Sequence, residues 1–196
     1  ADDLEETKTA RAEDAETHIA ELSRLVDQLK STADELSESR EQFRHAAYHD
    51  AITALPNRNY VLSLIDQLLK KNELSSGERF AVMLINLNRF RSVNESLGYQ
   101  TGDRVIKHLA KRLRELSSPG ETVGHFGADK FVMVLPSVTS EATAIGRAEA
   151  VAHCISEAIV FKGRTLYTSA SIGLVFHNPN HLKAEEVLRD ADIAMY

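Results

Sequence analysis

Between residues 19 and 43, apolar side chains recur at alternating spacings of three and four residues. This spacing is the heptad repeat of a coiled coil, in which the a and d positions form the contact seam. The a positions are Ile19, Val26, Ala33 and Arg40, and the d positions are Leu22, Leu29, Leu36 and Phe43. β-Branched residues at a with leucine at d favour a parallel pair of helices. The pattern therefore predicts a homodimer through residues 19–43, with an amphipathic helix folded back on its own domain as the alternative.

The pattern changes at about residue 47, which divides the chain into a helical arm (1–46) and a body (47–196). In the body, helical periodicities alternate with short apolar runs typical of buried strands. The expected elements are helices at 58–71, 101–116, 140–159 and 183–196, and strands at 79–90, 122–126, 131–136 and on either side of Gly163. Their order contains a βαββαβ core, which predicts an α+β, ferredoxin-like or palm sheet with helices on one face. Such a fold serves many chemistries and does not identify a function.

Negative charge is concentrated in the arm. Residues 1–45 contain thirteen acidic and six basic residues, whereas the whole chain has a net charge of −6. The body is therefore close to neutral, and we expect no nucleic acid partner, because such a partner requires a basic face. One predicted helix carries several basic residues that we interpret as solvated surface. They are Lys107, Lys111, Arg112 and Arg114.

Two further features bear on location. No apolar run reaches the roughly 18 residues of a membrane span, so we expect no membrane contact by this segment. The one cysteine, Cys154, lies among apolar residues at helical spacing and is interpreted as a buried, inert thiol. A single cysteine forms no internal disulfide, which fits a reducing, cytoplasmic compartment. The abrupt opening at Ala1 suggests a piece of a longer protein, which elsewhere could carry a membrane anchor.

Five segments, in order, resemble the motifs of GGDEF domains, the diguanylate cyclases. "HDAITALPNR" is similar to the opening signature D-x-L-T-G-L-x-N-R, and "INLNRFRSVNESLGYQTGD" to D-x-D-x-F-K-x-x-N-D-x-x-G-H-x-x-G-D. "HFGADKF" stands where R-x-G-G-D-E-F belongs, while "TSASIGL" and "ADIAMY" resemble T-x-S-x-G and A-D-x-A-x-Y. The resemblance covers residues 48–196, and the arm resembles the signalling helix that often precedes such domains.

This resemblance implies a nucleotidyl-cyclase-type domain that holds one GTP. Two such domains meet, and divalent cations help to join two GTP molecules into cyclic di-GMP with loss of pyrophosphate. The implied metal positions are Asn86, the carbonyl of Leu87, and Asp129, and the acid expected after Asp129 is Lys130. The implied nucleotide-binding positions are Phe90, Arg91, Asn94, Asp103, Gly127 and Lys130. Asn94 and Asp103 stand at the guanine-reading positions; the alternative is that they only cap a helix and pin a loop.

Two charge changes predict that this metal site does not work. Magnesium prefers charged oxygen ligands. Asn86 removes one negative charge, and Lys130 removes a second and adds a positive charge. We therefore expect an empty remnant metal site, no functioning catalytic residues and no cofactor, with Lys130 neutralising the phosphates of GTP in place of the ion. The alternative is an active cyclase that uses Mg²⁺ or Mn²⁺.

The inhibitory R-x-x-D motif of the family corresponds here to residues Ser118 to Glu121. Its arginine is absent, so we expect no feedback inhibition through that site. The sequence as a whole predicts a catalytically inactive GGDEF domain on a dimeric signalling helix. By resemblance to tandem proteins, it would relay the state of a sensor domain to a neighbouring output domain of the EAL type.

Overall fold

The computed structural model describes residues 2–74, 79–161 and 163–195. The chain divides into two compact units, Ala1–His45 and Ala46–Tyr196. Helix α1 runs over Asp2–Tyr48, so the arm is helical, as the heptad pattern predicts. Several residues of the predicted seam are exposed. The side chains of Ile19 and Leu22, the seam residues before residue 24, are not among those that the structure describes. The exposed residues are Val26, Leu29, Leu36 and Phe43.

The body contains five helices and six strands within the described residues. The helices are α2 (Arg58–Leu74), α3 (Phe90–Leu97), α4 (Tyr99–Leu116), α5 (Glu141–Ser156) and α6 (Ala184–Ala194). The strands are β1 (Arg79–Leu87), β2 (Thr122–His125), β3 (Lys130–Val138), β4 (Ile159–Phe161), β5 (Arg164–Leu166) and β6 (Ala170–Phe176). The segment around Gly163 thus forms three strands instead of the two expected.

A four-stranded antiparallel sheet in the order β2–β3–β1–β6 forms the centre of the body. Without the separate β4–β5 hairpin, this is the order of a βαββαβ ferredoxin-like sheet, so the predicted fold class is confirmed. The central strand β1 is buried along almost its whole length. The candidate site residues at the ends of β1 and β3 are therefore attached directly to buried stretches of these strands.

Helices cover both faces of this sheet, so the expectation of helices on one face is wrong. Side chains of β1 such as Met83 and Ile85 join a core with α4 and α5. The alternating residues Phe80, Val82 and Leu84 join a second core with α2 and α6. The physical reason is the continuous apolar run of β1, because a strand that is apolar on both sides must be covered on both sides.

The connection after β1 contains a helix, α3, that was not among the expected elements. Gly98 separates α3 from α4 with a φ of 80°, a left-handed conformation that glycine adopts without steric cost. Its N–H donates to the carbonyl of Asn94 at 2.9 Å. The corner between α3 and α4 brings residues on the two helices into contact.

Two other expectations concern single features. Cys154 is half-buried and not fully buried, and burial raises the pKa of its thiol, which keeps the thiol in its unreactive protonated form. Among the described residues, we find no helix whose length and hydropathy would suit a membrane span.

Candidate nucleotide site

The sheet register brings together two predicted site residues that are distant in sequence. Asn86, near the end of β1, pairs with Lys130 of β3 on one side and with Ser171 of β6 on the other. The side-chain oxygen of Asn86 is buried and has no hydrogen-bond partner among the described residues. An unpaired buried acceptor is unfavourable, so this amide oxygen could accept a hydrogen bond from a ligand or water.

Lys130 extends from the sheet toward α6. Its Nζ lies 3.3 Å from Oδ1 of Asp192, and both side chains are close to half exposed. The pair lines a cleft of about 300 Å³ with Arg58, Phe126 and Arg189. The guanidinium of Arg58 lies over the Phe126 ring at 5.9 Å from its centroid. Lys130 is therefore engaged by a carboxylate of the same chain.

The turn between β2 and β3 has a left-handed backbone at two successive residues. Gly127 has a φ of 89° and Ala128 a φ of 50°; an L-residue such as alanine adopts this region only at a cost. The turn is closed by the N–H of Lys130, which donates to the Gly127 carbonyl at 3.1 Å. The Asp129 carbonyl accepts from the Leu87 N–H at 2.9 Å. This last bond ties the backbones of two predicted metal-binding positions together.

Asn88 links the end of β1 to the start of β6. Its Nδ2 donates to Ser169 Oγ at 3.0 Å, and its Oδ1 accepts from Ser171 Oγ at 2.9 Å. In the resemblance to the family motif, Asn88 stands at the second acid of the D-x-D pattern. The structure shows that its amide is used within the protein, because each of its polar atoms has a serine partner.

The two positions assigned to guanine recognition lie on the helices that flank the α3–α4 corner, Asn94 on α3 and Asp103 on α4. The side-chain oxygen of Asn94 lies directly against Gly102, the residue before Asp103. Asp103 is exposed, and α4 begins without a side-chain cap, so Asp103 does not cap this helix. The Asn94 amide therefore packs against the backbone of α4 at the residue before Asp103.

The two other predicted ligands on α3 have different environments. The Phe90 ring is buried in the core between the sheet and α4. Arg91 is exposed, and its Nε donates to Oε1 of Glu95 at 2.9 Å. An ion pair this exposed contributes little to stability. A ligand would therefore find Arg91 available at small cost.

A buried histidine joins the turn region to the loop after α1. Nδ1 of His125 lies 2.9 Å from Oδ1 of Asp50. The same carboxylate oxygen accepts from Ile52 N–H at 3.1 Å and Thr53 N–H at 2.8 Å. Burial alone raises the pKa of Asp50, but the hydrogen bonds from Thr53 and the contact with His125 outweigh it and leave the pKa below its usual value.

At the predicted inhibitory position, Glu121 is paired inside the domain. Arg147 of α5 binds it in a bidentate manner through Nε and a terminal nitrogen, with the Nε contact at 3.0 Å. Ser118 N–H donates to the same carboxylate at 2.7 Å. Both side chains of the ion pair are largely buried. Within the described residues, this carboxylate is committed to an internal contact.

The basic face of α4 is less solvated than we expected. The terminal nitrogens of Arg112 donate to the carbonyls of Glu157 at 2.9 Å and Ala158 at 2.7 Å. These carbonyls follow the C-terminus of α5, where a cation is favourable. The prediction of a solvated surface is thus wrong for Arg112, because the fold places the end of α5 beside it.

Comparison with known proteins identifies the family. The model for "Diguanylate cyclase, GGDEF domain" matches residues 47–196. The chain belongs to the GGDEF family. The resemblance read from its motifs is thereby confirmed.

Individual relatives and structures agree with this assignment. The chain is 32% identical over 190 residues to the diguanylate cyclase TpbB of Pseudomonas aeruginosa, covering 92% of this chain and 43% of TpbB. It is 29% identical to the cyclic di-GMP phosphodiesterase NbdA of the same organism, covering 92% of this chain and 22% of NbdA. The chain thus spans less than half the length of either relative.

A solved structure shows a similar architecture. The coiled coil and GGDEF domain of DgcB from Caulobacter crescentus, in complex with c-di-GMP, aligns with a TM-score of 0.79 and 24% identity, covering 89% of this chain and 91% of that one. At this identity the comparison shows the fold alone. The domain described here therefore has the architecture of a GGDEF domain.

Proposed function

We propose that this GGDEF domain is a catalytically inactive regulatory module that binds GTP without a divalent ion. In this proposal it forms a dimer through residues 19–43, lies in the cytoplasm and relays a sensor's state to a neighbouring output domain, such as an EAL domain. The observation that carries the proposal is the pairing of Asn86 with Lys130 at the metal position. Together they make the site three charges more positive than the family pattern.

The donors present do not suit magnesium. Asn86 offers an amide oxygen, Leu87 a carbonyl and Asp129 one carboxylate, whereas Mg²⁺ prefers charged oxygens in a near-octahedral arrangement. An ammonium at ~5 Å from a divalent ion, at an effective dielectric of ~20, is repelled by several kcal/mol. Solvent screening reduces this value, because Lys130 is 41% exposed. Even the reduced repulsion opposes binding of the ion.

Lys130 can instead meet the phosphates directly. A lysine ammonium acts as a point charge toward phosphate, as in phosphate-binding loops. Asp192 holds Lys130 in this structure, so GTP would have to compete with that carboxylate. Ala128 adds a methyl group in the turn where family members have glycine. Both features oppose tight binding, so we expect the affinity for GTP to be low.

An active cyclase is the second candidate. It is favoured by the retained Asp129, Asn94 and Asp103, and by the similarity to TpbB, a diguanylate cyclase. In this case the protein would join two GTP molecules with Mg²⁺ or Mn²⁺ despite Asn86 and Lys130.

Two measurements on the same preparation separate these functions. Incubation with GTP and Mg²⁺ or Mn²⁺, followed by chromatography for cyclic di-GMP, is expected to yield no product. Calorimetry with GTP in excess chelator is expected to show binding. The matched control is the double variant Asn86→Asp with Lys130→Glu, which restores the family's acids and is expected to bind Mg²⁺. Product formation by the unmodified protein would establish the second candidate, and an absence of GTP binding in chelator would reject the first.

A further inference from the structure

His125, the last residue of β2, is a buried titratable side chain beside the turn between β2 and β3. It is 1% exposed, and its ring packs on Phe131 with 4.8 Å between the centroids. The family motif has arginine at this position, which is always charged, whereas a histidine changes its charge between about pH 5 and pH 8. A group that titrates near neutral pH thus stands next to the turn that carries Asp129.

Both ring nitrogens of His125 face oxygen acceptors. Nδ1 lies 2.9 Å from Oδ1 of Asp50, and Nε2 lies 3.4 Å from the carbonyl oxygen of Ala128. A neutral imidazole has one N–H and one lone pair, so it leaves a lone pair against one of these oxygens, whereas the imidazolium carries an N–H on both nitrogens. The arrangement therefore suits the protonated ring.

A second buried histidine, His181, has a different arrangement. Its Nε2 lies 2.9 Å from Oδ2 of Asp190, but its Nδ1 accepts a hydrogen bond from the Asn178 N–H at 3.2 Å. A neutral ring that is protonated at Nε2 satisfies both contacts. The requirement for a second proton is therefore particular to the surroundings of His125.

Within the described part of the chain, the ring of His125 forms an ion pair with Asp50 and not with Asp129 of the turn. Each cation on the elements packed around it contacts another partner. These cations are Arg114 of α4 at the Thr53 carbonyl, Arg58 of α2 over the Phe126 ring, and Lys130 of β3 at Asp192. The charge of the ring is therefore balanced by Asp50.

The ring joins two parts of the fold. On one side it contacts Ala128, whose φ of 50° is a left-handed conformation that costs an L-residue. On the other side it contacts Asp50, two residues after the end of α1, and the His125 N–H donates to the Pro56 carbonyl at 2.9 Å. A change at the ring therefore acts on a turn conformation that the local sequence does not favour.

We infer that His125 is a positioning residue whose protonated ring holds the turn Gly127–Lys130 against the segment after α1, so that the geometry of the candidate site depends on pH. The ring takes up a proton from solvent at low pH, and both N–H groups then face acceptors. When it releases this proton, a lone pair faces one of the two oxygens and that contact loosens. The inference does not depend on GTP binding, because it concerns the turn in the protein without ligand.

Amide NMR spectra of the full 196-residue chain between about pH 5 and pH 8 test this inference. The Asp129 N–H shares its peptide group with the Ala128 carbonyl, so its signals report the contact with the ring. We expect these signals to move with the same midpoint as the ring signals of His125. Asp129 signals that stay constant, or that move with another midpoint, would overturn the inference.

Two variants separate this effect from other effects of pH. His125→Gln has no titratable ring, so the Asp129 signals should stay constant over the same range. His181→Gln is the matched control, because it removes a buried histidine that also has a carboxylate partner, and it should leave the Asp129 titration unchanged. A titration that persists in His125→Gln or disappears in His181→Gln would contradict the assigned role. The unmodified protein still decides the inference if His125→Gln does not fold.

Calorimetry with GTP in excess chelator gives a separate readout of the site. Relative to His125→Gln at the same pH, the unmodified protein should bind about two- to tenfold more tightly at about pH 6 than at about pH 8, the scale of one hydrogen bond. Comparison at equal pH removes the titration of the phosphates themselves. The same affinity ratio at both pH values would show that the site does not follow the ring. If the unmodified protein binds no GTP, the proposed function fails, while the NMR titration still decides the role of His125.

Discussion

Nζ of Lys130 lies 3.3 Å from Oδ1 of Asp192, which joins the first residue of β3 to the last turn of α6. The ammonium stands where the family motif has an acid, and the carboxylate belongs to the A-D-x-A-x-Y motif. The chain therefore supplies its own anion for the cation that replaces the expected acid. Because of this pairing, a phosphate group would have to compete with Asp192 for the Lys130 ammonium.

The first prediction concerns that competition. Asp192→Asn should strengthen GTP binding in chelator about two- to fivefold, because an exposed ion pair of this kind is worth roughly 0.2–1 kcal/mol. The gain should shrink as salt is added. Calorimetry at two salt concentrations measures both effects. Asp190→Asn is the control, since Asp190 pairs with His181 and Arg189 instead. Weaker binding by Asp192→Asn would show that Lys130 does not receive the phosphates.

The second prediction concerns two alanines at glycine positions of the family motifs. Ala54 has a φ of 55° and Ala128 a φ of 50°, a conformation that costs an L-residue about 1–2 kcal/mol. Ala54→Gly and Ala128→Gly should each relieve this strain. Glycine also gives the unfolded chain more conformational entropy, which offsets part of the gain, so the net stabilisation should be up to about 1 kcal/mol.

Urea unfolding of each variant measures this stabilisation. The control, Ala150→Gly within helix α5, should instead lose about 1 kcal/mol, because glycine weakens a helix. Equal losses in all three variants would mean that the left-handed positions carry no strain. Ala128→Gly should also improve any nucleotide binding, since it removes the methyl group from the turn.

Most of the fold could be predicted because hydrophobic periodicity reports local structure directly. The continuous apolar run of β1 and the heptads of α1 identify those elements without tertiary information. The short helix α3 was missed because Phe90 was assigned to a strand at 79–90, whereas β1 ends at Leu87 and Phe90 begins α3. Phe90, Val93 and Leu97 do recur at helical spacing. Helices on both sheet faces follow from the apolar character of β1, which the one-face expectation did not take into account.

The motif resemblance named the candidate site residues, but it did not give their contacts. The motif resemblance indicated Asn86 and Lys130 separately, and only the strand register pairs them. The partners of Lys130 and His125 depend on the packing of α6 and of the loop after α1, which local sequence does not encode. The same reason explains why Arg112 was assigned to solvent, although the end of α5 lies beside it.

The third prediction concerns Asp50 and acid stability. In the folded protein the pKa of Asp50 is below its usual value of 3.8. As pH falls, this carboxyl therefore takes up a proton in the unfolded state before it does so in the folded state. The stabilisation is therefore fully present above pH ~4 and is lost as pH falls through the folded pKa. Asp50→Asn should flatten the dependence of unfolding free energy on pH below ~4. Thermal melts between pH 2 and 7 would measure it, and an unchanged pH profile would contradict the assignment.

The fourth prediction concerns the ion pair between Arg147 and Glu121. Arg147→Ala should destabilise the domain by about 2–3 kcal/mol, because it leaves a largely buried carboxylate without its charged donor. Arg147→Lys should recover only part of this loss, since lysine cannot form the bidentate contact. Urea unfolding measures both. Arg44→Ala, which breaks an exposed pair with Glu41, should cost less than 1 kcal/mol. A similar small cost for Arg147→Ala would mean that the pair is solvated.

The last prediction concerns the helical arm. Leu29 and Leu36 are both 69% exposed on α1 and occupy d positions of the heptad, so a second copy of the chain is the partner that the pattern specifies. Leu29→Asn with Leu36→Asn should convert a dimer to a monomer in analytical ultracentrifugation. Leu25→Asn is the control, because it makes the same type of change outside the a and d positions. Dimers that survive the double variant would show that the arm is not the dimer contact, and a monomeric unmodified protein would show that the seam does not pair.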